Sequence, residues 1–129
     1  MKDGTAHKNI VVADGDVYAR TVICAYLREC GFRVLEAASE AEAKTLLDQD
    51  QWPVDVLLID TDLGSPGGGF ALVSKARVER PGLKIILTAS VPQAAQTAAA
   101  LCEEGPLTSR PYDPQLVADR IKRMLAGIA

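Results

Sequence analysis

The sequence predicts an α/β fold, a doubly wound parallel sheet of five strands built from five strand–helix units and ordered 2-1-3-4-5. Three observations carry this expectation. Short β-branched runs alternate five times with segments of helical period along the chain. Units that alternate in this way form a parallel sheet covered by helices on both faces, joined by right-handed crossovers. A chain of 129 residues suffices for one domain and falls short of the roughly 200 or more that an eight-unit barrel needs. No linker interrupts the units, so one domain is expected over residues 1–129, with a core of about 8–126 and a polar lead-in over 1–7.

Each element follows from its residues. Residues 8–13 are a β-branched run that ends in Asp14-Gly15-Asp16, a buried strand followed by a loop. Val22, Ile23, Tyr26 and Leu27 recur at helical spacing through 17–30, and Gly31 stops that helix. Residues 32–37 read as the second strand. Ser39 and Glu42 form a capping box that opens a helix carrying Ala43, Leu46 and Leu47 and ending before Trp52-Pro53. Residues 54–59 make the most apolar strand and lead to Asp60. The stretch 61–69, rich in Gly, Ser and Pro, reads as loop. Its Gly67-Gly68-Gly69 run reads as flexibility, since no Gly-Lys-Ser/Thr follows to make a phosphate loop. Phe70, Val73, Ala76 and Arg77 mark the third helix, closed by Pro81-Gly82. Residues 84–87 form the fourth strand, which ends at Thr88.

Residues 93–104 form an alanine-rich helix. Its Ala94, Ala95, Ala98 and Ala99 either admit a close-packed partner or express helix propensity alone. Residues 107–109 are a short fifth strand. Asp113-Pro114 caps the last helix, whose apolar stripe is Val117, Ile121 and Met124 and which stops at Gly127. The whole pattern is that of a flavodoxin-like open sheet.

Composition narrows the function. Hydrophobic residues are 48% and charged residues 24%, which is ordinary globular usage and excludes a disordered or low-complexity chain. Lys and Arg number 14 against 17 Asp and Glu, a net charge of −3 that gives no general attraction to nucleic acid or anionic lipid. Arg120, Lys122 and Arg123 make a small basic patch, read as a solvated helix face. No apolar run approaches the roughly 18–20 residues that span a bilayer, and the start carries no apolar signal core, so a cytoplasmic protein is expected. Cys24, Cys30 and Cys102 are an odd number at unrelated spacing and are expected to be small reduced thiols. With His7 the one histidine and no C-x-x-C, they make no zinc site.

In an open α/β sheet, ligands bind in the crevice beyond the carboxyl ends of the strands. The first strand brings Asp14, Gly15 and Asp16 there. The third brings Asp60, Thr61 and Asp62, the fourth Thr88 and Ala89, and the fifth Arg110 and Pro111. Clustered carboxylates repel one another without a cation, and oxygen-only ligands suit a hard ion such as Mg²⁺. A carboxylate placed beside a hydroxyl and a fixed cation can act as nucleophile toward a phosphoryl group and become an aspartyl phosphate. Singly, each residue has a plainer explanation. Asp14 and Asp16 suit a loop or helix cap, Asp60 a turn, Thr88 a strand end and Arg110 the surface. Their joint placement on one edge is what points to a site.

At these residues the chain resembles a bacterial two-component response-regulator receiver domain, CheY-like in fold, from Lys8 to Leu125. Val11-Val12-Ala13-Asp14-Gly15-Asp16 with Arg20 is similar to that family's first strand and acidic pocket. Leu57-Leu58-Ile59-Asp60-Thr61-Asp62-Leu63 resembles its phosphoacceptor strand, Ile85-Ile86-Leu87-Thr88-Ala89 its switch strand, and Ser109-Arg110-Pro111-Tyr112 its Lys-Pro-Phe segment. The resemblance implies that Asp60 takes a phosphoryl group from a histidine kinase or phosphotransfer protein. Asp14 and Asp60, the Asp62 backbone carbonyl and Asp16 would hold Mg²⁺. Thr88 would be the switch hydroxyl, and Arg110 would contact the phosphoryl group in place of lysine. Output would pass to a downstream protein through the face made by the fourth and fifth helices and the fifth strand, which could also serve a homodimer. No enzyme activity is implied beyond self-phosphorylation and self-dephosphorylation of the aspartate. Because the chain ends soon after the fifth helix, it is expected to act through protein contacts.

Three departures from the family pattern stand out. Gly15 occupies the place of a second acid that ligates the metal, Arg110 replaces lysine, and Leu107 replaces the aromatic residue that follows the hydroxyl. The loop after Asp62 is also one residue longer. These departures support an alternative, a degenerate receiver that works as a phosphorylation-independent interaction or dimerisation module. A minor alternative is an aspartate-nucleophile phosphatase, since Asp60-Thr61-Asp62 resembles the Asp-x-Asp of haloacid-dehalogenase-like enzymes. That family places its motif on the first strand, and its later lysine and acidic pair have no evident counterpart here.

Overall fold

The computed structural model describes residues 8–104 and 114–126. Its elements are β1 Asn9–Ala13, α1 Val17–Glu29, β2 Arg33–Ala37, α2 Glu40–Asp48, β3 Val56–Asp60, α3 Gly68–Glu79, β4 Lys84–Thr88, α4 Val91–Glu104 and α5 Pro114–Leu125. The strands pair in parallel in the order β2-β1-β3-β4. This is the α/β doubly wound arrangement expected of the first four strands. The described sheet has four strands rather than five, because the segment expected as the fifth, 107–109, lies outside the described residues. So do Arg110, Pro111, Tyr112 and the expected Asp113 cap.

Strand periodicity sorts the core into two layers. Ile10, Val12, Val56 and Leu58 point to one face, where they pack with α1, α4 and α5. Val11, Ala13, Leu57 and Ile59 point to the other, against α2 and α3. Side-chain caps fix the helix starts as the sequence implied: Asp16 accepts from the Ala19 amide, and Ser39 from the Glu42 amide. α4 begins two residues earlier than expected, with Ser90 accepting from the Gln93 amide at 3.3 Å and Pro92 in the first turn. Phe70, in the first turn of α3, is exposed, whereas Leu63 of the loop is fully buried.

α4 lies on the same face as α1 and α5. Its Ala94, Ala95, Ala98 and Ala99 are all buried there, so the close packing that small residues allow is used against the molecule's own helices. At the far end of that contact, Cys30 and Cys102 form a disulfide, with 5.6 Å between their Cα atoms. This corrects the expectation of three reduced thiols. The two cysteines lie 72 residues apart in the chain, and only the packing of α4 on α1 brings them within bridging range.

The glycine run is a second correction, since it is a packing device and not a flexible tether. Gly67 takes a left-handed φ of 75° just before α3. A Cβ on Gly68 would overlap the carbonyl oxygen of Leu63, and a Cβ on Gly69 would overlap that of Asp60. The Gly69 amide donates to the Thr61 carbonyl at 2.9 Å, so α3 starts directly against the strand end that carries Asp60. Gly69→Ala is therefore expected to lower stability by about 1–3 kcal/mol, because backbone must move to admit the methyl group. Gly82→Ala, where nothing stands within 4 Å, is expected to be neutral or to stabilise by up to about 1 kcal/mol. Urea unfolding of the two variants checks the contrast.

Candidate functional site

Register brings the expected residues together at the carboxyl edge. Ala13 lies opposite Ile59, so Asp14 and Asp60 follow at adjacent strand ends, and Asp60 lies opposite Thr88 on its other side. The Thr61 amide donates to the Thr88 carbonyl at 2.9 Å and fixes the β3–β4 end. Asp60 is half-buried, and its Oδ1 accepts from the Asp62 amide at 3.1 Å. Thr88 is buried, with its hydroxyl 3.5 Å from the Ile59 carbonyl, a long contact that holds it weakly. Asp14 is buried as well. Its Oδ1 accepts from the Asp16 amide at 2.8 Å, and its own amide donates to the Ala37 carbonyl at 3.0 Å.

The neighbouring acids have local tasks. Asp16 is the N-cap of α1, and Asp62 accepts from the Gly67 amide at 2.9 Å, closing the loop ahead of α3. Arg20, which the sequence placed with the acidic motif without a task, clamps that motif in the structure. Its guanidinium donates to the Asp14 carbonyl at 2.7 Å and to Glu36 at 3.2 Å, clamping the β1–α1 turn to β2. Its position four residues after the Asp16 cap, one turn into α1, was the available signal. Arg120 of the basic patch pairs with Glu29 at 2.6 Å and lies over the Tyr26 ring, which gives it an internal role.

Among the described residues, no group of three or more His, Cys, Asp or Glu side chains gathers to hold a metal ion. Asp14 and Asp60 face one crevice, but the third position is Gly15, so the side chains do not make the carboxylate cluster that holds a hard divalent ion firmly. The backbone at Gly15 admits a side chain without a clash at Cβ. A Cβ on Gly15 would have the Ala38 carbonyl as its nearest neighbour, at an ordinary 3.9 Å. No described helix is long and apolar enough to cross a membrane.

No family model matches the chain, and no curated protein matches it in sequence. Solved structures do match. A CheY-like response regulator receiver domain protein from Methanospirillum hungatei is 22% identical, with a TM-score of 0.59 over 95% of this chain and 96% of that one. A response regulator receiver domain protein from Clostridium thermocellum is 20% identical, with a TM-score of 0.60 over 93% and 95%. The non-phosphorylated HemR receiver domain from Leptospira biflexa is 18% identical, with a TM-score of 0.58 over 92% and 94%. At these identities the shared property is the fold, and it extends over nearly the whole chain.

Burial, reinforced by the charges of Asp60 and Asp16, holds the Asp14 carboxyl above its ordinary pKa against the opposing effect of the Asp16 amide. The folded state therefore binds the proton more tightly than the unfolded chain does. Stability falls as pH rises from the ordinary carboxylate range through the raised Asp14 value, and the penalty persists above it. Asp14→Asn keeps an oxygen for the Asp16 amide and removes the charge. It is expected to be more stable than the parent at pH 7, with the difference vanishing below the ordinary carboxylate pKa, as read by urea unfolding at both ends.

Proposed function

We propose that the chain is a receiver domain in phosphorelay signalling, with Asp60 as the residue that accepts the phosphoryl group from a phosphohistidine of a kinase or phosphotransfer protein. The observation that carries this reading is the placement of Asp14, Asp60 and Thr88 by strand register at one edge of a receiver-type sheet. The Asp62 amide orients the Asp60 carboxylate through Oδ1. A carboxylate oxygen attacks phosphorus in line, the O–P bond forms as the donor's N–P bond breaks, and imidazole leaves. The Thr88 hydroxyl, weakly held on the Ile59 carbonyl, is the nearby donor that can turn to a phosphoryl oxygen. Arg110 is the cation that the sequence offers to the same group. With two facing carboxylates, Asp14 and Asp60 would hold Mg²⁺ weakly, and the ion would supply charge neutralisation for the phosphoryl oxygens. The downstream partner is a protein that reads the resulting change in population.

A specific observation favours a second reading. Gly15 and the missing third acid suit a receiver that binds partners without being phosphorylated. Intact mass after incubation with acetyl phosphate and graded Mg²⁺ separates the two. The expected result is one phosphoryl adduct on the parent, none on Asp60→Ala, and half-maximal labelling of Gly15→Asp at a Mg²⁺ concentration lower by about tenfold, as ligand charge is restored. An adduct on Gly15→Asp but not on the parent would establish the second reading. Labelling of Asp60→Ala equal to that of the parent would remove Asp60 as the acceptor.

A further inference from the structure

We propose that Cys30 and Cys102 are a thiol–disulfide exchange site that takes a low-molecular-weight disulfide as oxidant and, by closing, locks α4 onto α1. Cys30 is the C-cap of α1, and Cys102 lies in the last turn of α4. Helices of this sheet run against the strands, so the pair sits at the opposite end of the molecule from Asp60. α4 brings Ala94, Ala95, Ala98 and Ala99, with Leu101 and Cys102, into the layer it shares with α1 and α5. Each alanine methyl buries little apolar surface, so a covalent bond from α4 to α1 adds to the restraint that packing on α1 and α5 places on α4. α4 is also entered from Thr88 after Ala89 and Ser90 alone, so the lock acts on the element that leaves the carboxyl edge.

The chemistry of the pair supports reversible closure. Both cysteines are almost fully buried, at 3% and 1% exposed, but each stands at a helix end, where opening is least costly. A cavity of about 370 Å³, lined by Lys8, Phe32, Lys84 and Leu101 among others, opens at the same end of the sheet. Leu101 precedes Cys102 and Phe32 lies two residues after Cys30, so the cavity lies near the pair in the chain, although neither cysteine lines it. Cys24 does not compete. It is buried, and its thiol is pushed up to about 12, first by desolvation, so it supplies almost no thiolate.

With oxidised glutathione as the disulfide, one cysteine thiolate attacks a sulfur of the oxidant, forms a mixed disulfide and releases one glutathione thiolate. The second cysteine thiolate then attacks the protein sulfur of that intermediate and releases the other. Two electrons pass from the cysteine pair to the oxidant, and the two cysteine protons end on the two released thiols. Excess reduced glutathione reverses both steps.

The lock stands apart from the receiver reading, since its test never involves Asp60. The whole chain is equilibrated in reduced and in oxidised glutathione and quenched with acid. Intact mass, peptide mapping and amide hydrogen exchange are then read for both forms. The expected oxidised form is lighter by two hydrogens, carries the Cys30–Cys102 link, and exchanges the α4 amides at least about tenfold more slowly than a reduced form that remains folded. Cys30→Ala/Cys102→Ala should match the reduced form in both buffers. Failure to close in oxidised glutathione, or closure through Cys24, overturns the site. Closure with unchanged α4 exchange overturns the lock. An unfolded reduced form makes the bond a requirement of folding and overturns the exchange role.

Discussion

β3 lies between β1 and β4, with Ala13 opposite Ile59 and Asp60 opposite Thr88, and the carboxyl edge depends on those two pairings. A slip of one residue in either would turn Asp60 to the other face, away from Asp14 and Thr88. The register is held because β1 and β3 are buried on both sides, so a slip would exchange the residues that fill two differently shaped layers. Gly68 and Gly69 add a second restraint. They let α3 begin in contact with the backbone at Leu63 and Asp60, which leaves the β3 end little room to shift.

Within that frame the site is acidic but incomplete. Two carboxylates converge where three would hold a hard cation, and the burial of Asp14 raises the cost of its charge. Part of that cost is offset by backbone contacts, the Asp16 amide on the carboxylate and the Arg20 guanidinium on the Asp14 carbonyl. The turn is thus fixed in place by protein contacts alone, and Gly15 leaves in it a position where a Cβ meets no clash.

The two ends of the molecule are built differently. The carboxyl edge is organised by hydrogen bonds among β1, β3 and β4. The amino end of the sheet, where α1 and α4 finish, is tied by the Cys30–Cys102 bond across small side chains. α4 spans both regions, starting from the Ser90 cap beside Thr88 and finishing at Cys102. A single helix of 14 residues, packed on α1 and α5, thus joins the two ends.

Local chemistry was legible in the sequence. The β-branched runs, the Asp16 and Ser39 caps and the stop at Gly31 located strands and helices, because each depends on residues within one turn of one another. The placement of Asp14, Asp60 and Thr88 was legible too, since a strand's carboxyl end follows from its pattern and strand order from right-handed crossovers. Three things were decided only by tertiary structure. The glycine run looked like flexibility, but what it accommodates, the carbonyls of Leu63 and Asp60, is defined only once α3 is docked. The alanines of α4 were compatible with a partner or with propensity alone, and the fold buries them in the layer that α4 shares with α1 and α5. The cysteines showed no spacing pattern because a disulfide needs proximity in space, and 72 residues of chain separate two sulfurs that only the packing of α4 brings together. Short-range interactions are written in neighbouring residues, whereas contacts between distant segments exist only after the layers have assembled.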